Sequence, residues 1–86
     1  YTSDLLSDVI GNAREGNIWI TLQTHKNIMA IASLKELAAI VLVKGYRPEE
    51  DTVSESEAEG IPILSTSRQT FEMTGEIYEL LQKKGQ

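Results

Sequence analysis

The chain has 86 residues, thirteen acids against eight bases, a formal net charge of −5 and no cysteine. The acidity argues against general nucleic-acid binding, which needs a basic surface to neutralise phosphates, and the missing cysteine excludes a disulfide framework and thiolate chemistry. No apolar run approaches the ~20 residues of a membrane helix and no signal peptide opens the chain, so a cytoplasmic protein with no membrane partner is expected.

A hydrophobic content of 41 % is ordinary for a globular protein. Residues 1–86 are read as one domain, able to bury about 60 % of its unfolded surface. The first residue is Tyr1 rather than Met, as in a fragment of a longer protein.

Ser3 to Ala13 places Leu5, Leu6, Val9, Ile10 and Ala13 on one helical stripe. Thr2 or Ser3 is placed to cap it, Asp4 suits its positive end, and Gly16 stops it. Asn17 to Leu22 alternates as a strand, with Ile18, Ile20 and Leu22 on one face and Trp19 and Thr21 on the other. A helix over Ile28, Ile31, Ala32 and Leu34 follows, ending near Leu37. Then Ala38 to Val43 is apolar throughout and rich in β-branched residues, which predicts a strand buried on both faces. It stops at Lys44-Gly45-Tyr46-Arg47-Pro48, where Gly45 is expected to need a positive φ.

Pro48 and the acids after it open a third helix, whose apolar face is thin, with Val53 and Ala58 as candidates. It is expected to be the most exposed helix. Gly60 ends it, and Ile61 to Leu64 forms a strand that Pro62 confines to an edge. Thr66 to Gln69 has the form of a capping box. The last helix carries Phe71, Thr74, Ile77, Tyr78 and Leu81 and is expected to fray over residues 83–86. Three strands alternating with four helices predict a three-layer α/β/α sandwich with a small parallel sheet in the spatial order 1-2-3.

The runs EGNIWITLQTHKNIMAIASLKELAAIVLVKGYRP and EGIPILSTSRQTFE resemble the DRTGG domain. The likeness extends from about Leu5 to Tyr78, and is similar in turn to the N-terminal domain of the HPr kinase/phosphorylase. Where the family has Asp-Arg, this chain has Thr24-His25. Where it has Thr-Gly-Gly, this chain has Val43-Lys44-Gly45, followed by the typical Arg47-Pro48. The resemblance implies regulation, commonly in a dimer, and no catalysis.

In an open α/β sheet, ligands bind beyond the carboxyl ends of the strands. Those ends hold Lys26, Lys44, Arg47 and Arg68 and no acid. Together with Thr24, His25, Gly45 and Ser67 they form the candidate site for an anion, such as an adenine nucleotide or another phosphorylated metabolite. The plainer alternative is that exposed loops carry charge and that Thr66 or Ser67 merely caps a helix. His25 has no partner for acid–base or nucleophilic work. One histidine without cysteine makes no metal site, and Asp4, Asp8 and the acids of residues 49–59 read as caps and a solvated face. No catalytic residue, cofactor or metal is expected. Trp19 is read either as core or, with Ile18 and Ile20, as an interface anchor on an unprotected strand edge. Two functions result: a ligand-sensing regulatory domain, or a homodimerisation or partner-docking module without a small ligand.

Overall fold

The computed structural model describes residues 1–84. Along them run α1 Leu6–Asn12, β1 Ile18–Thr21, α2 Asn27–Leu34, β2 Ala39–Leu42, α3 Glu50–Glu59, β3 Ile63–Ser65 and α4 Thr70–Lys84. The strands form one parallel sheet in the order β1-β2-β3, as the sequence predicts. The register sets Trp19 beside Ile40, and Ile20 beside Val41. Side chains alternate across a sheet, so Trp19, Ile40 and Leu42 join one apolar cluster while Ile20, Val41 and Val43 join another.

The first cluster is closed by α1 and the residue after it, through Val9 and Ala13, and by α2, through Ile28, Met29, Ile31 and Ala32. The second is closed by α4 alone, through Met73 and Ile77. This is the three-layer sandwich, with unequal covers. On the α4 side, the chain leaves an apolar groove at each edge of the helix. One runs between β1 and Tyr78 and Leu81; the other lies over Ala39, Val41 and Leu64.

Several local expectations are corrected. α1 is shorter than the apolar stripe, and Leu5 stands at its N-cap with no side-chain cap. The residues before it have another use. Tyr1 to Ser3 lie alongside β1, with the Tyr1 nitrogen donating to the Ile18 carbonyl at 2.7 Å. Ile20 N–H donates to the Tyr1 carbonyl at 2.8 Å and Ser3 N–H to the Ile20 carbonyl at 3.2 Å. The edge of β1 is therefore paired, not unprotected. Asp4 serves β1 rather than the helix dipole: its Oδ1 accepts from the Thr21 hydroxyl at 2.9 Å and from Leu22 N–H at 2.7 Å. The Tyr1 hydroxyl donates to both Asp8 carboxylate oxygens at 2.8 Å. That bond holds the Asp8 carboxyl below its ordinary pKa and the Tyr1 phenol above its own.

Val53 and Ala58 do not dock α3, since both stay exposed. Thr52 does: it is fully buried, and its hydroxyl donates to the Thr24 carbonyl at 2.9 Å. As expected, α3 is the most exposed helix, with Thr52 and Ser56 its only residues that are not exposed. The Thr66–Gln69 capping box is absent. Thr66 Oγ1 accepts from Arg68 N–H at 3.2 Å instead, in a local turn. Thr70, Met73, Thr74, Glu76 and Ile77 are the half-covered residues of α4, whereas Phe71 and Tyr78 point to solvent. The apolar positions of this helix fit two adjacent stripes, and the sheet selects the one with Met73. α4 runs through Lys83 and Lys84 without fraying there, and Gly85 and Gln86 lie outside the described residues.

Glu36 carries a local strain. It is left-handed at φ 53°, and a hydrogen bond and like charge from Glu15 raise its pKa. A carboxyl whose pKa is raised on folding costs stability when ionised, at neutral pH, and not when protonated. Glu36→Gln is therefore expected to raise Tm at pH 7, with the gain shrinking as the pH falls toward 4.5, the ordinary glutamate value. Thermal unfolding at several pH values checks this; a gain independent of pH would contradict it.

Candidate functional site

The carboxyl ends of the three strands are built from loops that bond to one another. After β2 the chain turns through two consecutive left-handed residues, Lys44 at φ 59° and Gly45 at φ 77°. This turn presents two N–H groups to the loop after β3. Lys44 N–H donates to the Arg68 carbonyl and Gly45 N–H to the Thr66 carbonyl, both at 2.8 Å. Those amides are committed to the fold and are not free to hold a phosphate.

A left-handed turn costs an L-residue on the order of 1–2 kcal/mol, and glycine little. Gly45→Ala is expected to lose about that much, and Lys44→Gly to gain stability, although each changes a single exposed position. Chemical denaturation of both variants measures this; equal and negligible shifts would refute the assignment. Lys44 stands where the resemblance places the first glycine of a Gly-Gly pair, and the backbone there has kept the glycine conformation.

The eight candidate ligand residues fall into separate groups. Gly45, Arg47 and Ser67 share a shallow hollow of about 140 Å³ with Ser65 and Thr66, and Lys44, the residue before Gly45, is exposed. Thr24 and His25 belong to a second group at the start of α3. The Thr24 carbonyl accepts from Glu49 N–H at 3.3 Å, and His25 Nδ1 lies 2.8 Å from Glu49 Oε2. Lys26 is exposed at the N-cap of α2 with no side-chain cap bond. Arg68 turns away along α4, where its guanidinium meets Glu76 at 2.7 Å, and it lines the apolar groove over Val41.

The strand-end loops themselves hold no acid, yet acids reach them from the helices. Glu49 and Glu76 fold back onto His25 and Arg68. Both lie at the start or in the first two turns of the following helices, where a sequence reading assigns acids to the helix dipole. Among the described residues, Lys26, Lys44 and Arg47 are the candidate cations without an ion pair.

The proposed interface on β1 is also corrected. Trp19 is fully buried under α1, and its indole N–H donates to the Ser3 carbonyl at 2.9 Å. Ile20 is buried against the other face, and Ile18 is half-buried there. Trp19 and Ile20 offer no free surface, and Ile18 is reached only through the grooves beside α4. Several exposed apolar side chains stand on and beside α4, with Phe71 at 89 %, Tyr78 at 62 %, and Leu64, Leu80 and Leu81 each more than half exposed; Leu5 and Leu34 are exposed elsewhere. A sequence reading places Phe71 and Tyr78 toward the core and so misses them; the mid-helix Gly75 between them is the available signal.

No group of three or more His, Cys, Asp or Glu among the described residues is placed to hold a metal ion, and no helix there is long and apolar enough to cross a membrane. No curated protein and no solved structure matches the chain. The model of the DRTGG domain matches residues 3–80, which spans every strand and all but the end of α4. The chain belongs to the DRTGG domain family, a regulatory type of domain.

Proposed function

We propose that this chain is a non-catalytic regulatory module that works by pairing with a second copy of itself. One observation carries the reading. The sheet face under α4 has a single helix as its cover, and that helix turns Phe71 and Tyr78 outward on one stripe, with half-exposed Leu81 beside Tyr78. Exposed aromatic stripes of this kind mark interaction surfaces, and two-fold dimers are the commonest soluble homo-oligomers. The −5 charge favours a protein surface over nucleic acid as the partner. Sedimentation of the whole chain tests this: a reversible monomer–dimer equilibrium is expected, and a monomer at every accessible concentration would overturn it.

A second reading is ligand sensing at the strand ends. It is favoured by Lys44 and Arg47, which have no carboxylate partners among the described residues, and by the hollow that Arg47 shares with Ser67. The hollow of about 140 Å³ is below the ~300 Å³ of ordinary ligand pockets. It suits a phosphate group held at the surface better than an enclosed adenine nucleotide. Thermal unfolding with inorganic phosphate and with ATP tests it. A Tm rise that Lys44→Ala and Arg47→Ala abolish supports the reading, and no rise with either compound removes it.

A further inference from the structure

We infer that the two copies meet through α4, packed antiparallel about a two-fold axis that passes between Gly75 and Tyr78. The inference rests on the self-association reading and names the surface that it uses.

Gly75 is the first reason. Glycine is the poorest helix former after proline, yet it sits in the middle of the fifteen-residue α4. Nothing in the fold asks for it there. A Cβ built at Gly75 meets no atom within 4 Å, and its backbone is an ordinary helix without positive φ. Phe71 and Tyr78, four residues before and three after, share its side of the helix and are strongly exposed. Two aromatic rings thus flank a patch of bare backbone. That relief matches a bulky side chain arriving from outside, and in an isologous pair the side chain is the partner copy's own Tyr78. Tyr78 of each copy then covers Gly75 of the other, and the contact closes on itself.

The charges are the second reason, and they select the orientation. Glu72, Glu76, Glu79 and Lys83 follow one another at helical spacing along one flank of that stripe. Glu76, Glu79 and Lys83 border a common hollow. Glu72 and Lys83 are about 16 Å apart along the axis, too far to pair within one helix. An antiparallel partner brings Lys83 against Glu72 of the other copy, twice by symmetry. A parallel two-fold pair would set this flank against the partner's opposite flank, where Thr74 and Leu81 carry no charge, and would form no such ion pair. Near the axis Glu76 and Glu79 of the two copies come together, and Arg68, 2.7 Å from Glu76, offsets part of their repulsion. An interface built on one helix face falls below about 1,200 Å² in total, in the range of weak, reversible complexes.

The experiment is sedimentation velocity over a wide range of loading, combined with thermal unfolding at high dilution. Gly75→Leu is expected to abolish the dimer while raising the Tm of the dilute monomer, because leucine is the better helix former and has open space in the single chain. Glu72→Lys and Lys83→Glu are each expected to weaken the dimer about threefold or more, and the double exchange to restore it. The charge exchange stands on its own if Gly75→Leu fails to fold. A wild-type dimer that ignores all these substitutions would overturn the α4 interface and leave self-association standing on another surface. A wild-type monomer would overturn both.

Discussion

Trp19→Ala is expected to cost about 3–5 kcal/mol, the range for a truncated buried aromatic. The side chain is the largest in the core and fully buried. It sits on β1 in one cluster with Val9, Ala13 and Ile40 of the central strand, so its removal opens a cavity under a helix of only seven residues. Its loss also leaves the Ser3 carbonyl without the indole N–H donor. Domains of this size hold roughly 5–10 kcal/mol in all, so the variant is expected to lose about half of its stability. Urea denaturation followed by circular dichroism measures the loss. A cost below about 1.5 kcal/mol would contradict Trp19 as the centre of the larger cluster.

Asp4→Ala is expected to follow at about 1.5–3 kcal/mol, the range for hydrogen bonds to a charged group. The carboxylate joins the N-terminal segment to the end of β1 by accepting from the Thr21 hydroxyl and Leu22 N–H. Thr21 is buried, so its hydroxyl loses that acceptor where water does not readily replace it. The effect is also expected to be local. Release of Tyr1 to Ser3 unpairs the edge of β1, and the amide of Ile20, which donates to the Tyr1 carbonyl, should exchange with solvent far faster. Asp4→Asn keeps an acceptor oxygen and should lose less. Hydrogen exchange at Ile20 that is unchanged in Asp4→Ala would contradict this account of the edge.

The two substitutions mark what could be read from sequence and what could not. β2 was legible because an unbroken apolar run between helical stripes has one stable place, the middle of a covered sheet. The parallel order followed from the right-handedness of crossovers. The positive φ at Gly45 followed from a strand ending in a sharp turn. Asp4 was not legible in its role, because an acid ahead of an apolar stripe looks the same whether it serves the helix dipole or reaches across to a strand. α4 misled for a related reason. Its apolar residues fit two overlapping stripes, and only contact with β1 and β2 decides that Met73 and Ile77 face the sheet while Phe71 and Tyr78 do not. At the candidate site, local charge was legible but pairing was not. Glu49 and Glu76 reach His25 and Arg68 through the tertiary fold.

The most direct test of the α4 pairing is disulfide cross-linking, since the chain has no cysteine of its own. Gly75→Cys and Tyr78→Cys chains are prepared separately, mixed and oxidised gently. With Tyr78 of one copy seated on Gly75 of the other, the mixture should form a covalent dimer that joins one Gly75→Cys chain to one Tyr78→Cys chain. That mixed product should appear faster than either chain alone forms its own homodimer. Equal rates for the mixture and for each chain alone would mean that the copies do not meet at this point of α4.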